Sequence, residues 1–227
     1  MNFDEMEKKA DDLIDRNRLR AAERILLKML AADPKSIGAH FNLVRVYNRT
    51  NQFDRAVIHG RRTLRLSPKE QNASVNLGIS YDLMGKPDRA LVYYKRELKR
   101  EPGNPLAHWW MGRLYFEKRQ WRKAMRHLEK CNGIGGEEGD AETVYKLCRC
   151  YNELNDILSY LRAYKEYLHR VPNAAWAASS LAGGLMHAKE FKRAIFWYQK
   201  AESIKPSESN REHLRLAHAA LLKSKAA

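Results

Sequence analysis

The sequence predicts an all-α fold, a solenoid of antiparallel helix hairpins, and three observations carry that prediction. Pro34, Pro68 and Pro102 are 34 residues apart, as are Pro172 and Pro206. The gap from Pro102 to Pro172 is 70, two periods plus two residues. With this proline numbered 32, position 8 reads Ala10, Val44, Gly78, Gly112, Cys148, Ala182, and position 20 is alanine except for Tyr160. Position 11 reads Leu13, Tyr47, Tyr81, Tyr115, Tyr151, Leu185.

These columns define six units: 3–36, 37–70, 71–104, 105–140, 141–174 and 175–208. Each reads as helix A, a tight turn, helix B and a stop. Small residues at positions 8 and 20 let the two helices approach, and the bulky residue at 11 fills the space beside that contact. Proline has no N–H and cannot continue helix B. Asn17, Asn51, Gly85 and Asn155 stand between the helices, where a left-handed residue closes helix A. A single hairpin leaves an apolar face bare, and stacking covers it.

Taken in order, unit 1 is degenerate. Its helix A carries Asp4, Glu7, Asp11 and Asp15 at spacings that put them on one face. Units 2 to 4 match the pattern best and are basic. Residues 132–140, NGIGGEEGD, break it with four glycines, two extra residues and a lost proline, which predicts a looser joint there. A phosphate loop is a poor reading of this stretch, since it is not GxGxxG, no strand precedes it and two glutamates sit in it. Residues 209–227 read as a capping helix with Leu214, Ala217 and Leu221 on one face.

Composition narrows function. The chain has 227 residues, a net charge of +15, 30% charged and 44% hydrophobic residues. The acidic start MNFDEMEKKADDL lacks the apolar core of a signal peptide. The uncharged run 174–188 is too short to span a bilayer. Three cysteines make no disulfide framework, so the reducing cytoplasm is the expected compartment. The eight histidines are scattered. Cys148 and Cys150 point about 200° apart on a helix and cannot easily share a metal. Cys131 and Cys148 read as buried thiols. The sequence therefore predicts no metal, no cofactor and no catalytic centre.

A 34-residue period with these columns resembles the tetratricopeptide-repeat family across residues 3–208. The resemblance implies a right-handed superhelix whose A helices line a concave groove. Its groove positions fall on Phe41, Asn42, Arg45 and Asn48 in unit 2 and on Asn72, Asn76 and Ile79 in unit 3. They fall on Trp109, Trp110, Arg113 and Phe116 in unit 4, on Tyr145, Lys146, Arg149 and Asn152 in unit 5, and on Trp176 in unit 6. Adjacent Trp109 and Trp110 cannot point the same way, so at least one is expected to pack. Asn, Arg and aromatic side chains together suit a peptide, through its backbone, its carboxylates and its apolar anchors. The family's carboxylate clamp needs residues that no three consecutive units supply here. The implied function is a non-catalytic scaffold or adaptor binding a peptide or protein partner, of the kind found in bacterial assembly, secretion or magnetosome systems.

Two further readings follow from charge. Helix B outer positions are basic at Arg61, Arg62 and Arg65, at Lys95, Arg96, Lys99 and Arg100, and at Arg122, Lys123 and Arg126. RNA or an anionic membrane bound through the convex face is the alternative function. The acidic face Asp4, Glu7, Asp11, Asp15 also complements Arg45, Arg113, Lys146 and Arg149, which predicts head-to-tail self-association into homo-oligomers.

Overall fold

The computed structural model describes residues 2–131 and 136–226. Among these residues the regular structure is thirteen α-helices and one 3₁₀ turn, with no strand. The chain divides into two compact units, Met1–Leu114 and Tyr115–Ala227, with the boundary inside the seventh helix.

The first unit holds α1 (Phe3–Asp15), α2 (Leu19–Ala32), α3 (Ile37–Arg49), α4 (Phe53–Leu66), α5 (Ala73–Leu83), α6 (Pro87–Arg100) and most of α7 (Pro105–Glu117). Helices α1, α3 and α5 each pack on the even helix that follows, and α1 meets α3 and α3 meets α5 directly. Helices α1, α3 and α5 therefore form one layer. The second unit holds α8 (Trp121–Leu128), the 3₁₀ turn Glu129–Cys131, α9 (Gly136–Glu153), α10 (Ile157–Arg170), α11 (Ala175–His187), α12 (Phe191–Ile204) and α13 (Glu208–Ala226).

The repeat is visible in the backbone. A left-handed residue recurs at position 15 of every unit: Asn17 (φ 57°), Asn51 (58°), Gly85 (71°), Arg119 (54°), Asn155 (57°) and Lys189 (58°). The next residue donates its N–H back to the carbonyl of position 11, as in Gln52 to Tyr47 at 2.8 Å and Glu190 to Leu185 at 2.8 Å. This bond closes helix A and aims the chain into helix B. The sequence marked four of these turns by Asn or Gly, and the structure adds Arg119 and Lys189.

The packing columns are filled as their chemistry requires. Ala22, Ala56, Ala90, Ala124 and Ala194 are fully buried. The position-11 rings pair with the ring twelve residues later: Tyr47 with His59, Tyr81 with Tyr93 and Tyr115 with His127, at centroid distances of 5.5, 5.4 and 5.5 Å. A cation at position 19 lies over each of these tyrosines, Arg55 at 5.6 Å, Arg89 at 5.8 Å and Lys123 at 5.5 Å. Part of the basic surface is thus fixed by cation–π contact.

Tyr160, the exception in the alanine column, is accommodated by its neighbour. Its hydroxyl donates to the Ser180 carbonyl at 2.9 Å, and its ring takes the space that a Cβ at Gly184 would need. Gly78 makes the same room for buried Tyr94.

The joint expected at 132–140 meets a partial description. Residues 132–135 lie outside the described residues, and 136–140 belong to α9, which begins five residues before the unit boundary at 141. Helix α8 is 8 residues long, against 14 for the other B helices, and ends in the 3₁₀ turn. Cys131 and Cys148 are buried thiols. Among the described residues no helix is long and apolar enough to cross a membrane.

Candidate partner-binding surfaces

In the first unit, the residues assigned to the groove are largely engaged with one another. Arg45 on α3 reaches back to α1, with Nη1 at 2.6 Å from Asp11 and Nη2 at 3.1 Å from Asp15. The same Nη1 donates to the Asn42 side-chain oxygen at 3.0 Å. Asn42, assigned to the groove, is buried, and its side-chain oxygen supports Arg45. Arg113 on α7 repeats the device, pairing with Asp82 of α5 at 3.1 Å and lying 4.9 Å over the Trp110 ring.

Asn48 donates to the Asn76 carbonyl at 3.3 Å, tying α3 to α5, and its own buried side-chain oxygen has no partner. Asn72 adopts a left-handed conformation (φ 59°) before α5 and accepts from Asn104 at 2.9 Å. Trp109 and Trp110 meet edge to face at 4.9 Å, and Trp110 also stacks near Tyr94 at 6.5 Å. Both indoles are half-buried, as is Phe41.

These contacts bear on the self-association reading. Asp11 and Asp15 are paired with Arg45 of their own chain, so the complementarity assigned to two copies is used within one. Glu7 is half-buried beside Gly38. Burial, then Asp11, Asp4 and Glu70, raise its pKa above the ordinary glutamate value. Asp4 stays exposed.

The second unit is open. A cavity of about 520 Å³ lies between α9, α10 and α11, with Tyr198 of α12 and His213 of α13 at its edge. Tyr145, Arg149 and Asn152 from the groove assignment all line it. Lys146 does not: its side chain is nearly buried, paired with Glu142 at 3.1 Å and held 4.8 Å over Phe116. Trp176 packs on Tyr164 and Tyr167, at 6.0 and 5.3 Å, and is not a lining residue.

The other walls were not foreseen: Tyr160 and Tyr164 from α10, Ser179, Gly183 and His187 from α11, and His213. Two signals stood in the sequence, tyrosine in an alanine column and adjacent glycines inside a helix. Tyr160 and Tyr164 meet edge to face at 5.0 Å, and His213 stacks on Tyr198 at 5.5 Å. Ser179 donates to the Asn210 side-chain oxygen at 2.9 Å, which joins α11 to α13.

Burial pushes the Cys148 thiol up to about 12 and the Tyr160 phenol up to about 12, so both are protonated at neutral pH. Cys148 therefore packs and is no nucleophile, and Tyr160 is a hydrogen-bonding wall. Arg149 is exposed, with its nearest carboxylate, Glu153, at 3.9 Å. The cavity combines aromatic walls, amide and hydroxyl groups and one accessible guanidinium, a set suited to a side chain and a nearby carboxylate.

Stacked helix hairpins with such an open cavity define a helical-repeat binding protein. Family models described as tetratricopeptide repeat match residues 7–70 and 83–132, together just over half of the chain. The chain belongs to the tetratricopeptide-repeat family. No curated protein matches it by sequence. Its fold is similar to that of YrrB, described as a TPR protein with an unusual peptide-binding site, at 16% identity and TM-score 0.66 over 84% of this chain and 97% of that one. It is similar to PilW, a type IV pilus biogenesis factor, at 17% identity and TM-score 0.70 over 94% and 100% of the two chains. MamA is similar at 17% identity and TM-score 0.63 over 78% and 95%.

Proposed function

We propose that the protein is a non-catalytic scaffold that holds a peptide or protein partner, and that the cavity of the second unit anchors it. The cavity carries this reading. It is large enough for one or two side chains, and Arg149 at its wall is exposed and makes only a long ion pair, to Glu153 at 3.9 Å, among the described residues. The first unit supports the reading by contrast, since Arg45 and Arg113 are already paired there. The anchor is an apolar or aromatic side chain next to an acidic residue. YrrB and PilW make an adaptor in a bacterial assembly system the role we favour.

Selection of a random peptide library on the full chain tests the proposal. Enriched peptides should pair an aromatic or large aliphatic residue with Asp or Glu. Gly183→Leu should abolish capture, because a Cβ there meets only the Tyr198 hydroxyl, at 3.7 Å, and the rest of the leucine fills the cavity. Arg149→Glu should weaken capture about tenfold or more, as loss of a charge-assisted contact does. Capture unchanged in both variants would sink the proposal.

A further inference from the structure

Helices α4 and α6 carry the same outer face. Written from the second residue, DRAVIHGRRTLR and DRALVYYKRELK align position by position. Ile58 and Val92 occupy the same place in each and are 66% and 63% exposed, large values for aliphatic side chains. On a helix the neighbours of residue i are i−4, i−3, i+3 and i+4. For Ile58 these are Asp54, Arg55, Arg61 and Arg62, with Arg65 a further turn along, and for Val92 they are Asp88, Arg89, Lys95 and Arg96, with Lys99 a further turn along. Each aliphatic thus shares its face with four cations and one acid. Asp54 and Asp88 lie in the first turns, where the helix dipole favours them.

Four of these cations, Arg55, Arg61, Arg89 and Arg96, touch neutral groups. Arg61 donates to the Tyr81 hydroxyl at 2.7 Å, Arg96 to the Pro68 carbonyl at 3.5 Å, and Arg89 lies over the Tyr81 ring. Such contacts order a guanidinium without cancelling its charge. Among the framing residues Arg55 has a carboxylate, Glu23, at 3.8 Å.

We propose that this face of α4 and α6 docks on an anionic lipid bilayer. Ordered, uncompensated cations seek phosphate and carboxylate headgroups. An exposed aliphatic at the centre of a basic face gains by entering the acyl boundary. A single-stranded nucleic acid shares the charge requirement but binds through aromatic platforms, whereas the residues projecting at the centre of this face are aliphatic. The surface lies in the first unit and is independent of the cavity proposed to hold a partner.

Co-sedimentation of the full chain with vesicles tests the assignment. Binding is expected to vesicles of phosphatidylcholine with phosphatidylserine and not to phosphatidylcholine alone. Arg65→Glu, Lys95→Glu and Lys99→Glu together should weaken binding by roughly 100-fold or more, from the contribution of each basic residue near a charged surface. Ile58→Ser with Val92→Ser keeps the charge and should weaken vesicle binding about tenfold, while any binding of polyuridylate stays unchanged. Circular dichroism should show wild-type helicity in both variants. Equal binding to neutral vesicles overturns the proposal. So does vesicle binding that ignores the serine variant, or binding of polyuridylate with none of vesicles.

Discussion

The pair His40 and His59 shows how one proton sets a local structure. Their Nδ1 atoms are 2.8 Å apart, and His40 Nε2 lies 3.1 Å from the Pro34 carbonyl. A carbonyl only accepts, so His40 carries its hydrogen on Nε2 and takes one from His59 on Nδ1. Burial pushes His59 down from 6.5 to about 4, and His40 and Arg55 add to the effect. Burial also lowers His40, with Arg62 assisting, while the Pro34 bond and Asp33 oppose it. A histidine depressed in the fold takes up protons first in the unfolded chain, so stability falls as pH drops from about 6.5 to about 4. Urea unfolding at pH 7 and pH 4.5 should show this loss. His59→Tyr, which copies the residue at the same position in the next repeat (Tyr93), should flatten the dependence. An unchanged pH profile in this variant would rule out the pair as its source.

At the scale of the element, the turn from helix A to helix B demands a left-handed residue whatever the side chain. Asn17, Asn51, Gly85 and Asn155 were legible because glycine and asparagine tolerate that region. Arg119 and Lys189 were not, because nothing in a long charged side chain signals it. The left-handed conformation costs an L-residue about 1–2 kcal/mol, partly offset by the entropy glycine adds to the unfolded chain. Lys189 is exposed, so replacing it sacrifices little packing. Lys189→Gly should therefore raise stability by about 0.5–1 kcal/mol, read as a higher urea midpoint at constant slope. The reverse change, Gly85→Ala, should lower it. A midpoint for Lys189→Gly at or below wild type would mean that the backbone there carries no strain.

For the whole molecule, the fold was legible because a repeat writes it locally: the proline, the small residues and the ring at position 11 each act within one hairpin. The surfaces were less legible because they depend on which side chains meet across hairpins. Asp11 and Arg45 stand in the same column of successive repeats, and that register makes them neighbours, yet each read alone as a free docking charge. Tyr160 and His213 reach one cavity from helices far apart in sequence. The same distinction between short-range pairs and long-range charge governs the response to salt. With a net charge of +15, exposed cations repel across the surface, whereas Arg45 with Asp11 and Arg113 with Asp82 act at 2.6 and 3.1 Å on half-buried side chains. The Debye length falls from about 30 Å at 0.01 M to about 8 Å at 0.15 M ionic strength, which screens the repulsion and spares the close pairs. The thermal midpoint should therefore rise over that interval, while vesicle binding through α4 and α6 should weaken over the same range. A midpoint that falls with added salt would show that ion pairs, not repulsion among surface cations, dominate the electrostatics of the fold.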